Sequence, residues 1–241
     1  ELARLYDNHL EFPARAVDCW RDLLVLKPGD PEALAELDKL LTESKRFPEL
    51  LDHLEYMLEH GGDTQKSAEL YLRRAHLLRD ELGEPERAEA DWAALLDIEP
   101  EHIEALESLA DILIGQGAYE RWASLSLRRL ALPDERYCER KLELLEVLAK
   151  ELGREDEALG YGRELITDER TSWAQLSKLA DICLDIYKAK EAIEALTRAA
   201  HLCESAIEER ALLYRIVEIY KTVLDTPSEA IWAWERLWEL D

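Results

Sequence analysis

Six histidines, four cysteines and 54 acidic side chains are the residues of this chain that could do chemistry. Their spacing argues against it. His9, His53, His60, His76, His102 and His201 are scattered. None forms HExxH, and none stands beside a cysteine at zinc-ligand spacing. His53 and His60 share a helix face at i, i+7, about 10 Å apart along the axis, too far to hold one metal unaided. Cys19, Cys138, Cys183 and Cys203 contain no CxxC pair. Each falls inside a helical pattern, where a free thiol behaves as a small buried hydrophobe. Free cysteines in a reducing compartment, the cytoplasm, are therefore expected. Paired carboxylates occur throughout, but so acidic a chain supplies them by chance, and general acid–base work needs a cleft that raises one pKa. GxSxG, glycine-rich phosphate loops and dinucleotide fingerprints are all missing from the sequence. The reading is no catalytic residue, no metal site and no cofactor: not an enzyme.

The seven tryptophans raise the question of ligand stacking. Three of them answer it by recurring. Residues 13–28 read PARAVDCWRDLLVLKP and residues 85–100 read PERAEADWAALLDIEP. Between 13–37 and 85–109, 11 of 25 aligned pairs are identical, among them Pro13/Pro85, Ala16/Ala88, Trp20/Trp92, Leu23/Leu95 and Pro28/Pro100. A shift of 70 carries GEPERA (83–88) onto GREDEA (153–158), and LADI (109–112) onto LADI (179–182). A shift of 142 carries Pro85, Ala88, Trp92 and Leu95 onto Pro227, Ala230, Trp234 and Leu237. A repeated tryptophan is a packing residue, so Trp20, Trp92 and Trp234 are expected in equivalent core sites.

The elements that place these residues are helices. Ala, Leu, Glu and Arg abound, while Gly and Pro number only nine and eight. In 101–133, Leu106, Leu109, Ala110 and Leu113 follow the i, i+3, i+4, i+7 stripe of one buried face. Gly117 then suits a left-handed cap, and Pro133 stops the following helix. The same grammar predicts about fourteen helices in seven hairpins, near 1–28, 31–60, 65–98, 102–131, 135–167, 171–203 and 206–241. The long helices are expected to run unbroken over 65–82 and 85–98. The fold class is all-α, one repeat domain over 1–241.

A period near 34, a first helix with large-x2-Leu-small spacing, and a second helix with Ala, an aromatic and a closing Pro resemble the tetratricopeptide repeat. The match is best at 68–100 through Gly83, Ala88, Trp92, Leu95 and Pro100, and good at 104–133. It weakens at Leu50, Glu146 and Gly162, where the family usually has small or aromatic residues. The resemblance implies a right-handed superhelical solenoid of antiparallel helix pairs, with a concave groove of first helices that binds protein or peptide. Physically, a two-helix hairpin has an apolar face it cannot bury alone, so neighbours must stack on it.

One residue round from each core stripe, the groove face reads Ala35 and Lys39, Arg73 and Leu77, Glu107 and Asp111, Glu143 and Val147, Ser177 and Asp181, Arg215 and Ile219. The Lys/Asn/Lys/Arg clamp with which relatives hold a C-terminal carboxylate is missing. Glu107, Asp111, Glu143 and Asp181 form an acidic strip suited to a basic segment. A net charge of −24 disfavours nucleic acid and anionic membrane as partners, and no stretch approaches the ~18 uncharged apolar residues of a membrane span. In the last helix, Trp232, Trp234 and Trp238 spread around the axis with no hairpin after them. The expectation is that the protein continues past Asp241, or associates end to end through Trp232 and Trp238. The whole reads as a protein-interaction scaffold, the alternatives being a spacer or self-association arm, or the regulatory arm of an enzyme encoded elsewhere in a longer chain.

Overall fold

The computed structural model describes residues 13–60 and 64–240. The expected helix at 1–10 lies outside them. Among the described residues there are thirteen α-helices and no strand. They are α1 (Pro13–Leu26), α2 (Pro31–Glu43), α3 (Phe47–His60), α4 (Thr64–His76), α5 (Glu89–Ile98), α6 (Ile103–Gly115), α7 (Tyr119–Leu130), α8 (Tyr137–Lys150), α9 (Glu155–Thr167), α10 (Trp173–Asp185), α11 (Ala189–Leu202), α12 (Ala206–Thr222) and α13 (Ile231–Glu239). The boundaries follow local chemistry. Asp30 caps α2, its Oδ1 accepting from the Glu32 and Ala33 amides at 3.2 and 3.1 Å, with Pro31 at the first helical position. Ser172 and Gln175 form a reciprocal capping box at α10.

The chain divides into two compact units, Glu1–Gln116 and Gly117–Asp241. In the first, α1 packs on α2, α2 on α3, α3 on α4, α4 on α5 and α5 on α6. In the second, α8 pairs with α9, α10 with α11 and α12 with α13, while α8 also touches α10 and α9 touches α11. Each unit is thus a short run of stacked antiparallel hairpins, the tetratricopeptide-like arrangement, and the repeated phrase fills its seams. Ala16, Ala88, Ala158, Ala192 and Ala230 are all buried, so backbones can approach closely. Trp20 and Trp92 fill the space beside them.

The repeat of about 70 residues, rather than 34, has its cause in the turns. Among the described residues a left-handed residue closes every first helix: Lys45, Gly83, Gly117, Gly153, Tyr187 and Asp225, with φ between +52° and +69°. At Lys45 and Tyr187 the turn is a Schellman motif. Lys45 N–H donates to the Thr42 carbonyl (3.1 Å) and Arg46 N–H to Leu41 (3.0 Å); Tyr187 donates to Leu184 (3.0 Å) and Lys188 to Cys183 (2.8 Å). At Gly83, Gly153 and Asp225 the turn is wider. Leu82, Leu152 and Leu224 donate five residues back at 3.1 Å, and Glu84, Arg154 and Thr226 donate six back at 2.8–2.9 Å. The wide turns precede GEPERA, GREDEA and the equivalent DTPSEA. One of them ends α4 early: Leu77–Glu81 is a π turn rather than a continuation of the α-helix, and Pro85–Ala88 enters α5 through a 3-10 turn.

Candidate functional site

Of the expected groove residues, Ala35, Lys39, Asp111 and Asp181 are exposed, and Arg73, Glu107, Glu143, Ser177 and Arg215 are half-buried. Leu77, Val147 and Ile219, expected on the same face, are instead buried in the core. Val147 and Ile219 fall on the wide apolar stripe of their helices, and Leu77 is buried at the start of the π turn that follows α4.

Several of these charges arrive already paired, one repeat apart. Arg73 donates to Asp38 Oδ2 (2.7 Å) and Thr42 Oγ1 (2.8 Å), tying α4 to α2. Its equivalent 142 residues on, Arg215, donates to Ser177 Oγ (2.7 Å) and pairs with Asp181, tying α12 to α10. Lys150–Asp185 (2.7 Å) and Lys178–Glu146 (3.7 Å) join α8 to α10 in the same way, and Arg154–Glu120 (3.1 Å) joins α9 to α7. Asp181 therefore meets any partner with Arg215 beside it. Asp111, by contrast, is exposed and forms no ion pair with any described residue. Exposed pairs of this kind contribute about 0–1 kcal/mol each, so their role is to fix the register of neighbouring hairpins.

The buried ionisable groups are structural. His53 Nε2–H donates to the Leu34 carbonyl at 3.1 Å, and burial pushes its pKa below the usual histidine value. Asp91 is buried, and the loss of solvent raises its pKa despite the Arg74 Nε–H donated to it at 2.9 Å. Burial acts to lower Lys141, but the Glu164 carboxylate and the Tyr137 hydroxyl, which accepts from Nζ at 2.8 Å, more than offset it and leave the ammonium firmly charged. Burial pushes the Cys183 thiol up to about 12, away from the reactive thiolate. All four cysteines are free thiols. Among the described residues no cluster of His, Cys, Asp or Glu is arranged to hold a metal ion, and no helix is long and apolar enough to cross a membrane.

Among the described residues, concavities lie within each unit. One of about 330 Å³ sits where α6 leans on the preceding hairpin, lined by Arg79, Glu86, Trp92, Ser108, Asp111 and Gln116 among others. A second, about 230 Å³, lies beside His53 and Tyr56. The third, about 490 Å³, is a shallow acidic recess at Trp173, Glu204 and Glu208. Of the first group the sequence singled out Trp92, as a packing residue, and Asp111, as part of the acidic strip. The signal for the others was faint: Glu86 sits in the repeated turn phrase, and Arg79 lies 25 residues before its partner Glu104, short of a full period.

The last helix departs from expectation. Trp92 is fully buried, with Ser108 and Ile112 of α6 across the cavity from it, and Trp20 is buried likewise. Trp234, at the equivalent place in the repeat, is 51% exposed, and Trp232 and Trp238 are 37% and 84% exposed. Helix α13 is the last in the described residues and has α12 on one side only, so Trp234 rests edge-on against Tyr214 with ring centroids 6.2 Å apart.

No family model matches the chain, and no curated protein does. Among solved structures, a tetratricopeptide repeat protein from Parabacteroides merdae aligns over 99% of this chain and 90% of its own at 19% identity and a TM-score of 0.39. The assembly chaperone of RpL4 (residues 1–338) aligns over 88% and 90% at 19% identity and 0.41. PilF of Pseudomonas aeruginosa aligns over 86% and 91% at 18% identity and 0.40.

Proposed function

We propose that this chain is a non-enzymatic scaffold that binds a polypeptide partner on the face of its first helices. The observation that carries the reading is the pairing of Arg73 with α2 and of Arg215 with α10, which holds neighbouring first helices in fixed register within each unit, while Asp111 on α6 stays exposed. A surface ordered in advance loses little entropy on docking. The charge of −24 favours a basic partner segment and steers it in at low salt.

The test is charge reversal on the acidic strip. Glu107→Lys with Glu143→Lys should weaken a partner found by proximity cross-linking in the native cell by about two- to tenfold, with the circular dichroism spectrum unchanged. Unchanged affinity would place binding elsewhere. A second reading, self-association, rests on the exposed Trp232, Trp234 and Trp238. Sedimentation equilibrium separates the two: a concentration-dependent dimer abolished by Trp238→Ser supports the arm, and a monomer at all concentrations removes it.

A further inference from the structure

Three second helices carry a pair of side chains, four residues apart, on which the next first helix packs. Trp20 and Leu24 of α1 meet α2, Trp92 and Leu96 of α5 meet α6, and Leu196 and Ala200 of α11 meet α12; all six are buried. The equivalent pair on α13 is Trp234 and Trp238, and both are exposed. The same face continues through Ile231 at helical spacing on α13, and through Ile207 and Tyr214 on α12, all three exposed as well. Tyr214 stands edge-on to Trp234 and joins the two helices into one apolar groove. Scattered apolar residues need no explanation, but a contiguous patch in the position of a repeating interface does. At the equivalent place in the first unit it is a helix that closes the face, α6, with Ala105, Leu106, Leu109 and Leu113 buried at three- and four-residue spacing.

The charges around the groove specify the helix it takes. Arg21, the residue after Trp20, pairs with Glu49 of α3 at 2.7 Å, so this position reaches across the seam to the incoming hairpin. Its counterparts are Ala93 in α5, Thr197 in α11 and Glu235 in α13. Only α13 sets a carboxylate among these four places, and Glu235 is exposed with no ion pair to any described residue. Arg79, in the π turn after α4, reaches Glu104 of α6 at 3.4 Å. Its counterpart on α12 is Lys221, exposed and likewise without an ion pair among the described residues. The groove therefore suits a helix with a cation against Glu235 and an acid against Lys221. A second copy, docking α13 on α13 about a two-fold axis through the stripe, would set Glu235 against its own mate in a chain of charge −24. A helix like α6, with three acids and no base, would leave Glu235 unanswered too.

We propose that this end face of the second unit binds an amphipathic helix of a separate polypeptide, apolar at i, i+3, i+4 and i+7 and carrying Lys or Arg beside the middle of that stripe. The site differs from the face of first helices, so it goes beyond the scaffold reading and can fail without it.

The probe is a dye-labelled peptide of about 16 residues with Leu in the stripe and Lys on its flanks, held helical by a hydrocarbon staple because a free helix of that length is marginal in water. One control has the same composition scrambled so that the stripe is lost, and another has Glu in place of Lys. Fluorescence anisotropy with the whole chain should show saturable binding about tenfold or more tighter than the scrambled control, and about two- to fivefold tighter than the Glu control. Trp238→Ser should weaken it about tenfold, while Glu235→Lys should reverse the preference between the Lys and Glu peptides; both side chains are exposed, so the circular dichroism spectrum should not change. Equal binding of the scrambled peptide, or an unchanged dissociation constant in Trp234→Ser/Trp238→Ser, would overturn the proposal. A dimer of the chain alone that Trp238→Ser abolishes would make a second copy the occupant and overturn it too. Peptide binding should survive Glu107→Lys/Glu143→Lys; its loss there would move the peptide to the face of first helices, whereas the native partner's response to that variant bears on the scaffold reading alone.

Discussion

Tyr187 occupies a backbone conformation that glycine holds elsewhere in the same chain, and replacing it should make the protein more stable. Its φ is +60°, in the left-handed region, while Gly117, 70 residues earlier at the equivalent turn, has φ +69°. For a residue with a Cβ that conformation costs about 1–2 kcal/mol. The ring gives little back, since Tyr187 is 93% exposed and stays in water when the chain folds. The two bonds of the turn, from the Tyr187 and Lys188 amides, belong to the backbone and survive any substitution. Against the relief stands the extra freedom of glycine in the unfolded chain, about 0.4–1 kcal/mol. The balance for Tyr187→Gly is a gain of about 0.5–1 kcal/mol, which for a chain of this length raises the melting temperature by about 1–4 °C. Urea denaturation followed at 222 nm reads it directly, as a higher midpoint with an unchanged slope. The reverse change, Gly153→Tyr, should cost about 0.5–1 kcal/mol by the same balance. A Tyr187→Gly variant less stable than wild type, or a Gly153→Tyr variant as stable, would refute the account of the turns.

Other consequences are as direct. Gly162 lies inside α9 with room for a methyl group, a Cβ there meeting Leu145 and Leu179 Cδ1 at 3.4 Å; Gly162→Ala should gain about 0.5–1 kcal/mol of helix propensity, and a loss of stability would show the seam to be tighter than these distances imply. Because the folded His53 pKa lies below the unfolded value of about 6.5, the unfolded chain binds a proton that the native one refuses as pH falls. Stability should be fully present above pH ~6.5 and decline below it, while His53→Gln should flatten that part of the profile; parallel profiles would exclude the mechanism. Removing Arg74 leaves the buried Asp91 carboxylate without its donor. With Arg74 itself partly exposed, Arg74→Met should cost about 2–4 kcal/mol in chemical denaturation, and Arg74→Met/Asp91→Leu should recover part of it; no recovery would mean that lost packing, not the stranded charge, is responsible.

The local structure was written plainly in the sequence. Helix ends follow prolines and cap residues that act within a few positions, and the buried Ala16, Ala88 and Trp92 follow from periodicity. Two things were not legible. Trp234 repeats Trp92 letter for letter, yet its burial depends on what lies beside α13, which no property of residue 234 encodes. Arg215 and Asp181 could be placed on one helix face, but that they pair with each other is decided by the stacking of α12 on α10, a tertiary fact. The cavity at Arg79 was hidden for a related reason. It opens where the wide turn after α4 and the end of α6 meet, and periodicity describes helices but not the gaps between their ends.

The alternation of turns has a consequence for how such a chain can be copied or edited. Wide turns at Gly83, Gly153 and Asp225 are separated by 70 and 72 residues. Between the first pair lies Gly117, whose preceding Gln116 amide donates to the Ile114 carbonyl as in the tight turns, and between the second lies the tight turn at Tyr187. Excising a single helix pair would set two turns of the same kind in succession, whereas excising four helices together would leave the alternation whole. The repeating unit of this molecule is the four-helix block, and lengthening or shortening it by design should succeed in steps of about 70 residues and fail at half that step.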